Sequence, residues 1–310
     1  MENSNILYSV VIPVYNSEKI VATTVSEIIA FFQNNTLNYE IILVNDCSKD
    51  KSWEVIKDLA RKNKNVISIN LLKNYGQHTA VFCGFGYAKG NYIITMDDDL
   101  QNPPEEIAKL IEKIKEGYDA VIGAQENKQD KIYKNIGSFF VRYLNTIIFN
   151  KPKSLKLSSF RIITRAVADE IRVLKTVYPY ISGMLLSLTG NISNVMVRHD
   201  IRKYGSSTYN LRRLIKLSFN LIINYSSLPL KFMTLIGILV SGASFCIGLF
   251  FILKKILVGI PVPGWTSVIF LLSFFNGLLL IILSIIGEYL ARIINEVSNY
   301  QQFVIREKHI

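Results

Sequence analysis

The segment Asn91–Ile107, NYIITMDDDLQNPPEEI, decides how the first 200 residues are read. A mostly apolar run from Tyr92 to Met96 reads as a short strand and ends on Asp97, Asp98 and Asp99. Neighbouring carboxylates repel, and burying an unpaired one is costly. The cluster therefore belongs either to a solvated turn or to a place where something cationic sits on it. Pro103 and Pro104 then open a helix running to Glu116, since proline is tolerated in the first helical turn.

Outward from this segment, strand and helix patterns alternate. LYSVVIPVY, YEIILVN, VISINLL and YDAVIG read as strands, with helices expected over Ser17–Gln33, Lys51–Lys62 and Thr79–Lys89. Ser17 is the expected N-cap of the first helix. Alternation of this kind predicts an α/β domain with a mostly parallel sheet and helices on both faces. Ligands of such sheets bind beyond the carboxyl ends of the strands. Three polar clusters occupy those ends: Tyr15 with Asn16, Asp46, and Asp97–Asp99. No G-x-G-x-x-G follows the first strand and no G-x-x-x-x-G-K-[ST] occurs, which argues against a dinucleotide fingerprint or a P-loop. An acidic turn suits a hard divalent cation completed by phosphates. Asp97 and Asp99 stand two apart, and Gln101 can return to the same side.

The formal net charge of +11 points to an anionic partner: nucleic acid, a phosphorylated metabolite or a membrane surface. Three scattered cysteines and three scattered histidines imply neither a disulfide framework nor a zinc site. The N-terminus lacks the basic and apolar regions of a cleaved signal peptide. The second half of the chain is different. Phe232–Leu253, FMTLIGILVSGASFCIGLFFIL, and Ile260–Gly287, IPVPGWTSVIFLLSFFNGLLLIILSIIG, carry no charge, and each reaches the roughly 20 apolar residues that a spanning helix requires. They predict a transmembrane hairpin of helices at 232–253 and 264–287. Arg202, Lys203, Arg212, Arg213, Lys216 and Lys231 precede it, and Arg292, Arg306 and Lys308 follow it. Only Lys254 and Lys255 mark the loop, so the positive-inside rule places both termini in the cytoplasm. These basic residues cluster beside the spans, where anionic lipid accounts for them and nucleic acid is not expected. Residues 209–230 read as an amphipathic interfacial helix. The expected organisation is a catalytic-type domain over 1–208, the interfacial helix, the spans within 231–290 and a cytoplasmic tail over 291–310.

VVIPVYNSE, ILVNDCSKDKSWEVI, LLKNYGQHTAVFCGFGYAKGNYIITMDDDLQNPPEEI, SSFRIITRAV and RKYGSSTYNLRRL occur in an order that resembles the GT-A-fold, family-two glycosyltransferases. Followed by two spans and IGEYLARIINEV, they resemble the membrane polyprenyl-phosphate branch, which includes undecaprenyl-phosphate glucosyl and aminoarabinose transferases and dolichyl-phosphate mannose synthase. The resemblance implies inverting transfer of a sugar from a nucleotide-sugar, UDP-linked in the branch most similar here, to the phosphate of a polyprenol in the bacterial cytoplasmic membrane. By position it implies that Pro13 and Tyr15 flank the base, Asp46 hydrogen-bonds it and Asp98 sits by the ribose. Asp97, Asp99 and Gln101 would surround Mg²⁺ or Mn²⁺, with Asp99 the candidate for any base-like role. Arg161, Arg202 and Lys203 would face donor or acceptor phosphates. A homotetramer is implied as well.

Five positions depart from the pattern. Leu155 stands where relatives usually carry an Asp sometimes proposed as the base, Ser17 where Glu is usual, and Thr208 where Lys is usual. Gln125 and Lys128 replace arginines. These replacements keep a non-catalytic nucleotide-sugar-binding membrane module open as an alternative. A processive glycan synthase is the other alternative, but the chain lacks a Q-x-x-R-W motif.

Overall fold

The computed structural model describes residues 6–125, 141, 143–174, 176, 178–200, 222, 225–226, 228–258, 264–297 and 302–310. Arg202, Lys203, Thr208 and Lys128 lie outside the described residues, as does nearly all of the expected interfacial helix. The chain divides into two compact units, Met1–Asn210 with Tyr300–Ile310, and Leu211–Asn299.

The first unit is built on β1 (Leu7–Val14), β2 (Asn38–Asn45), β3 (Val66–Leu71), β4 (Tyr92–Thr95), β5 (Ala120–Gln125), β6 (Arg161–Thr164), β7 (Ile192–Val197) and β8 (Ile305–His309). They form one sheet in the order β7-β5-β6-β4-β1-β2-β3-β8. β1 pairs in parallel with β2 on one side and β4 on the other. The chain first winds outward through β2 and β3, then returns to the far side of β1. That reversal opens a crevice at the carboxyl ends of β1 and β4. β6 runs antiparallel to both β4 and β5, and β8 runs antiparallel to β3.

β1 is apolar on both faces because both are covered. Val10, Ile12 and Val14 pack with α1 (Val21–Asn34), α2 (Ser52–Lys62) and α4 (Ile107–Ile114). Val11 faces α3 (Gln77–Phe85), α5 (Arg165–Val173) and α6 (Ile181–Leu188). α3 lies so close to the sheet that a Cβ on Gly84 would fall 2.3 Å from Val11 Cγ1.

Several boundaries differ from the sequence expectations. α1 begins at Val21, and Ser17 is not its cap. Ser17 is held by other partners: its N–H donates to Ser52 Oγ at 2.7 Å and its hydroxyl to Tyr15 O at 3.3 Å. The helix opened by the prolines is a 3₁₀ turn, Pro104–Glu106, followed by α4. α3 starts two residues before Thr79, directly after Gly76, whose φ of 95° turns the chain.

In the second unit, α7 (Leu228–Val258) and α8 (Trp265–Val297) are the helices over the expected segments 232–253 and 264–287, each running past them at its C-terminal end and α8 beginning one residue later. Among the described residues, one window, Phe274–Ala291 in α8, is long and apolar enough to cross a membrane, with a mean hydropathy of 1.9. Large side chains such as Phe274, Leu280 and Leu283 are exposed along it. The tail beyond α8 does not trail away: its last residues form β8 and belong to the first unit.

Candidate active site

Three parallel strands deliver their ends to one side of the sheet. β1 ends at Val14 in register with Asn45 of β2, and β4 pairs with β1 as far as Val11 opposite Thr95. The three polar clusters therefore converge, as the fold class predicts. Each strand exit bends through a left-handed residue: Asn16 (φ 54°), Cys47 (φ 54°) and Leu100 (φ 56°). Non-glycine residues adopt this conformation at a cost, and such positions concentrate at functional sites.

The acidic triplet splits by side. Asp98 turns inward, where its Oδ2 accepts the Tyr15 N–H at 3.4 Å and its backbone oxygen accepts Thr24 Oγ1 at 2.9 Å. Burial pushes its carboxyl up to about 7; the charges of Asp97 and Asp99 add to this, while hydrogen bonds from Ser17 and Tyr15 oppose it. Asp97 accepts from Gln77 Nε2 at 2.6 Å and from Ser159 Oγ at 2.7 Å. Asp99 accepts the Gln101 N–H at 3.1 Å. Gln101 in turn holds Asp200, whose N–H donates to Gln101 O at 2.7 Å. The chain thus reaches the acidic turn two residues before Arg202.

Asp46 is buried, and both carboxylate oxygens are engaged. They accept the N–H groups of Tyr75 at 2.7 Å and Gly76 at 2.8 Å. Burial raises its pKa, and these two bonds oppose the rise. Its evident work is to hold the turn that starts α3. Pro13 is half-buried in β1, and Tyr15 is exposed at the strand exit.

Arg161 opens β6 and is only 4% exposed. Its Nη1 donates to Ser182 Oγ at 3.1 Å, and its Nε is buried without a hydrogen-bond partner. Desolvation lowers its pKa to about 10, against the favourable fields of Tyr180 and Asp97. His78 stands edge-on to Tyr180 with ring centres 5.2 Å apart. Burial and then the Arg161 charge push its pKa down to about 4, so its imidazole is neutral near pH 7. Gln77, His78, Ser159, Tyr180 and Ser182 were not singled out as site residues in the sequence. The first two sit in NYGQHTA and Ser159 precedes FR, so the motifs mark their loops without marking their roles.

Among the described residues, no three acidic, His or Cys side chains converge into a metal cage. The donor set nevertheless fits a hard cation. Mg²⁺ is usually held by one or two carboxylates, with substrate phosphates and water completing the shell. Asp97, Asp99 and the neighbouring Gln101 at a strand-end turn have the donor chemistry that such a cation takes.

Residues 9–172 match the model of glycosyl transferase family 2. The chain belongs to this family. It is a glycosyltransferase, and its sheet is the mostly parallel, GT-A-like one expected. It is 32% identical over 315 residues to the undecaprenyl-phosphate 4-deoxy-4-formamido-L-arabinose transferase of Aeromonas hydrophila, covering 99% of this chain and 95% of that one. It is 30% identical over 303 residues to the SfII prophage-derived bactoprenol glucosyl transferase of Shigella flexneri, covering 97% and 98%. The fold is similar to that of glucosyl-3-phosphoglycerate synthase from Mycobacterium tuberculosis, crystallised with Mn²⁺, UDP and phosphoglyceric acid. That match has a TM-score of 0.53 at 18% identity and covers 71% of this chain and 77% of the other.

Two of the departing positions, Leu155 and Gln125, lie among the described residues with local backbone partners, while Thr208 and Lys128 lie outside them. The side chain of Leu155 is buried, and its carbonyl accepts Lys151 Nζ at 2.6 Å. The Gln125 carbonyl accepts Lys156 Nζ at 3.2 Å.

Proposed function

We propose that this glycosyltransferase moves a sugar, with inversion, from a UDP-linked donor to the phosphate of a membrane polyprenol, undecaprenyl phosphate. The product would be a lipid-linked sugar used in cell-envelope glycan or lipid modification. The observation that carries the reading is the acidic turn Asp97–Asp99 near a buried arginine, Arg161, whose Nε has no hydrogen-bond partner. Such an arrangement suits a diphosphate: a desolvated guanidinium has its donors already aimed and gains most from an anion. The names of the full-length relatives support the lipid acceptor, and the UDP in the structurally similar synthase is consistent with the donor.

In the reaction an acceptor phosphate oxygen attacks the anomeric carbon. The bond from that carbon to the diphosphate oxygen breaks, and its electron pair leaves with UDP. Asp97, Asp99 and Gln101 would hold Mg²⁺ or Mn²⁺, which when bound supplies positive charge to the leaving diphosphate. Arg161 stabilises the same developing charge. Pro13, Tyr15 and Asp98 line the nucleoside side. Asp46 shapes that side by holding the Tyr75–Gly76 turn, with base recognition assigned to it by resemblance. Arg202 and Lys203, which follow Asp200 in sequence, are assigned to the acceptor phosphate.

The connectivity of the sheet supports a hairpin topology. Residues 6–200 and 302–310 share one sheet, so the chain between them must cross a membrane an even number of times. If α8 spans, α7 is the candidate among the described residues for the return crossing. Its 31 residues extend about 46 Å at 1.5 Å per residue, more than the roughly 30 Å of hydrocarbon. The excess of Lys and Arg flanking the hairpin supports a catalytic unit and termini on the cytoplasmic side.

The test is a radiolabel transfer assay on the purified full chain in detergent, with undecaprenyl phosphate, Mn²⁺ or Mg²⁺, and a panel of UDP- and GDP-sugars. Organic-extractable label that disappears with EDTA supports the proposal, and the best donor identifies the sugar. A folded protein that gives no lipid-linked label with any donor would favour the binding-module reading. The mass of the solubilised particle tests the homotetramer.

A further inference from the structure

We propose that the C-terminal strand positions the acidic turn of the active site, through Tyr75 and Gln77. The inference rests on reading Asp97 as a metal-holding carboxylate.

A continuous set of contacts carries it. β8 pairs with β3 through Ser68–His309, Ile69–Lys308 and Asn70–Glu307, and the register shifts between Asn70 and Leu71. Past that irregularity the tail stays engaged with the segment leaving β3. Leu72 N–H donates to Val304 O at 2.8 Å, and Val304 N–H donates to the Tyr75 hydroxyl at 3.1 Å. Arg306 Nη2 donates to Leu72 O at 3.2 Å, and Phe303 packs edge-on against Phe82 of α3. The tail therefore grips the loop Leu72–Gly76 from outside. From inside, Asp46 holds the same loop by the N–H groups of Tyr75 and Gly76. The next residue, Gln77, donates to Asp97 at 2.6 Å.

The physical consequence is preorganisation. A loop tied only to Asp46 could pivot about Gly76, whose φ of 95° is open to glycine and strained for most other residues. The second tether, at Tyr75, removes that freedom. With the pivot fixed, the Gln77 amide meets one Asp97 oxygen while Ser159 holds the other. The carboxylate is then set in one rotamer before any cation arrives, which lowers the ordering cost of binding. Tyr75 and Gln77 are positioning residues in this scheme.

The test uses the full chain in detergent. Tyr75→Phe removes a single hydroxyl, and Gln77→Ala removes the amide without touching the tail. Mn²⁺ binding in the presence of UDP is followed by the loss of free-ion EPR signal, alongside transfer kinetics as a function of Mn²⁺. Each variant is expected to need about 3- to 10-fold more Mn²⁺ for half-saturation, in binding and in turnover, with kcat at saturating metal within about twofold of the parent. The double variant should be no weaker than Gln77→Ala alone, because both act on one link. Deleting residues 302–310 should give the same defect; since it also uncovers the edge of β3, the two point variants decide the matter. Unchanged Mn²⁺ affinity in both, or additive losses in the double variant, would overturn the proposal. If the parent binds UDP but no Mn²⁺, the metal reading falls and this inference falls with it.

Discussion

Replacing Arg161 with Met separates a binding arginine from a structural one. The guanidinium is almost wholly buried, and its pKa falls from the ordinary arginine value to about 10, mainly through desolvation. At about 1.4 kcal/mol per pKa unit, that drop is worth about 3 kcal/mol of unfavourable charge burial in the ligand-free protein. Removing the charge relieves this. It also deletes the hydrogen bond to Ser182, worth about 1.5–3 kcal/mol for a charged donor; the attractions to Tyr180 and Asp97 are already contained in the net drop. Met fills much of the stem volume and leaves no buried polar atom of its own. The two sides nearly cancel, so Arg161→Met should melt within about 4 °C of the parent, a shift of about 1 kcal/mol in a domain of this size. Transfer should fall about 10²- to 10³-fold, as when a preorganised donor to developing charge is lost. Thermal unfolding of the detergent-solubilised full chain, with and without UDP and Mn²⁺, is the assay. The ligand-induced stabilisation of the parent should shrink or vanish in the variant. A melting temperature lowered by more than about 10 °C, with transfer kept within tenfold, would refute the reasoning. Arg161 would then be one half of a structural pair, whose breaking costs about 3–5 kcal/mol.

Three further outcomes are expected. Asp99→Ala should abolish transfer while leaving the melting temperature within a few degrees; unchanged turnover would remove Asp99 from the proposed metal ligands. Gly84→Ala should destabilise by about 1–3 kcal/mol, because its Cβ would meet Val11 at 2.3 Å in a closely packed layer, and denaturant unfolding reads this directly. Cys83 is buried and its thiol pKa is pushed up to about 12, so at pH 8 it should resist alkylation that half-exposed Cys47 accepts, as peptide mass mapping would show.

The strand ends were legible because their causes are local. Apolar runs such as VVIPV and IILV make buried parallel strands, and the polar residues that end them must sit at one side of the sheet. The limits were equally physical. Ser17 has the chemistry of an N-cap, yet Ser52 and Tyr15 use its polar groups, and neither partner is visible in a local window. The bond from Gln77 to Asp97 joins two βα loops twenty positions apart. The tail IREKH alternates half-buried and exposed residues as a strand would, but five charged-rich positions are too few to declare one. The antiparallel insertion of β6 between β4 and β5 places Arg161 opposite Thr95, which no pattern in SSFR announces.

The missing carboxylate at Leu155 tests the chemistry itself. The family resemblance implies an acid at this position, and a general base would be needed if the acceptor had to lose a proton. A phosphate monoester has a second pKa near 6, so at neutral pH it already presents an anionic oxygen. What it needs is cations that hold two anions against one sugar carbon. The local structure agrees with dispensing with a base: the Leu155 side chain is buried, and its carbonyl is bonded to the ammonium of Lys151 rather than to a substrate-facing group. Leu155→Asp should therefore leave kcat within about threefold, with Leu155→Asn as the uncharged control for any packing defect. In both variants and in the parent, the rate should fall below about pH 6, because the acceptor itself becomes protonated. A tenfold gain in kcat confined to Leu155→Asp, with a new acidic limb in its pH profile that Leu155→Asn lacks, would show that deprotonation limits the parent and that the cation-centred mechanism is wrong.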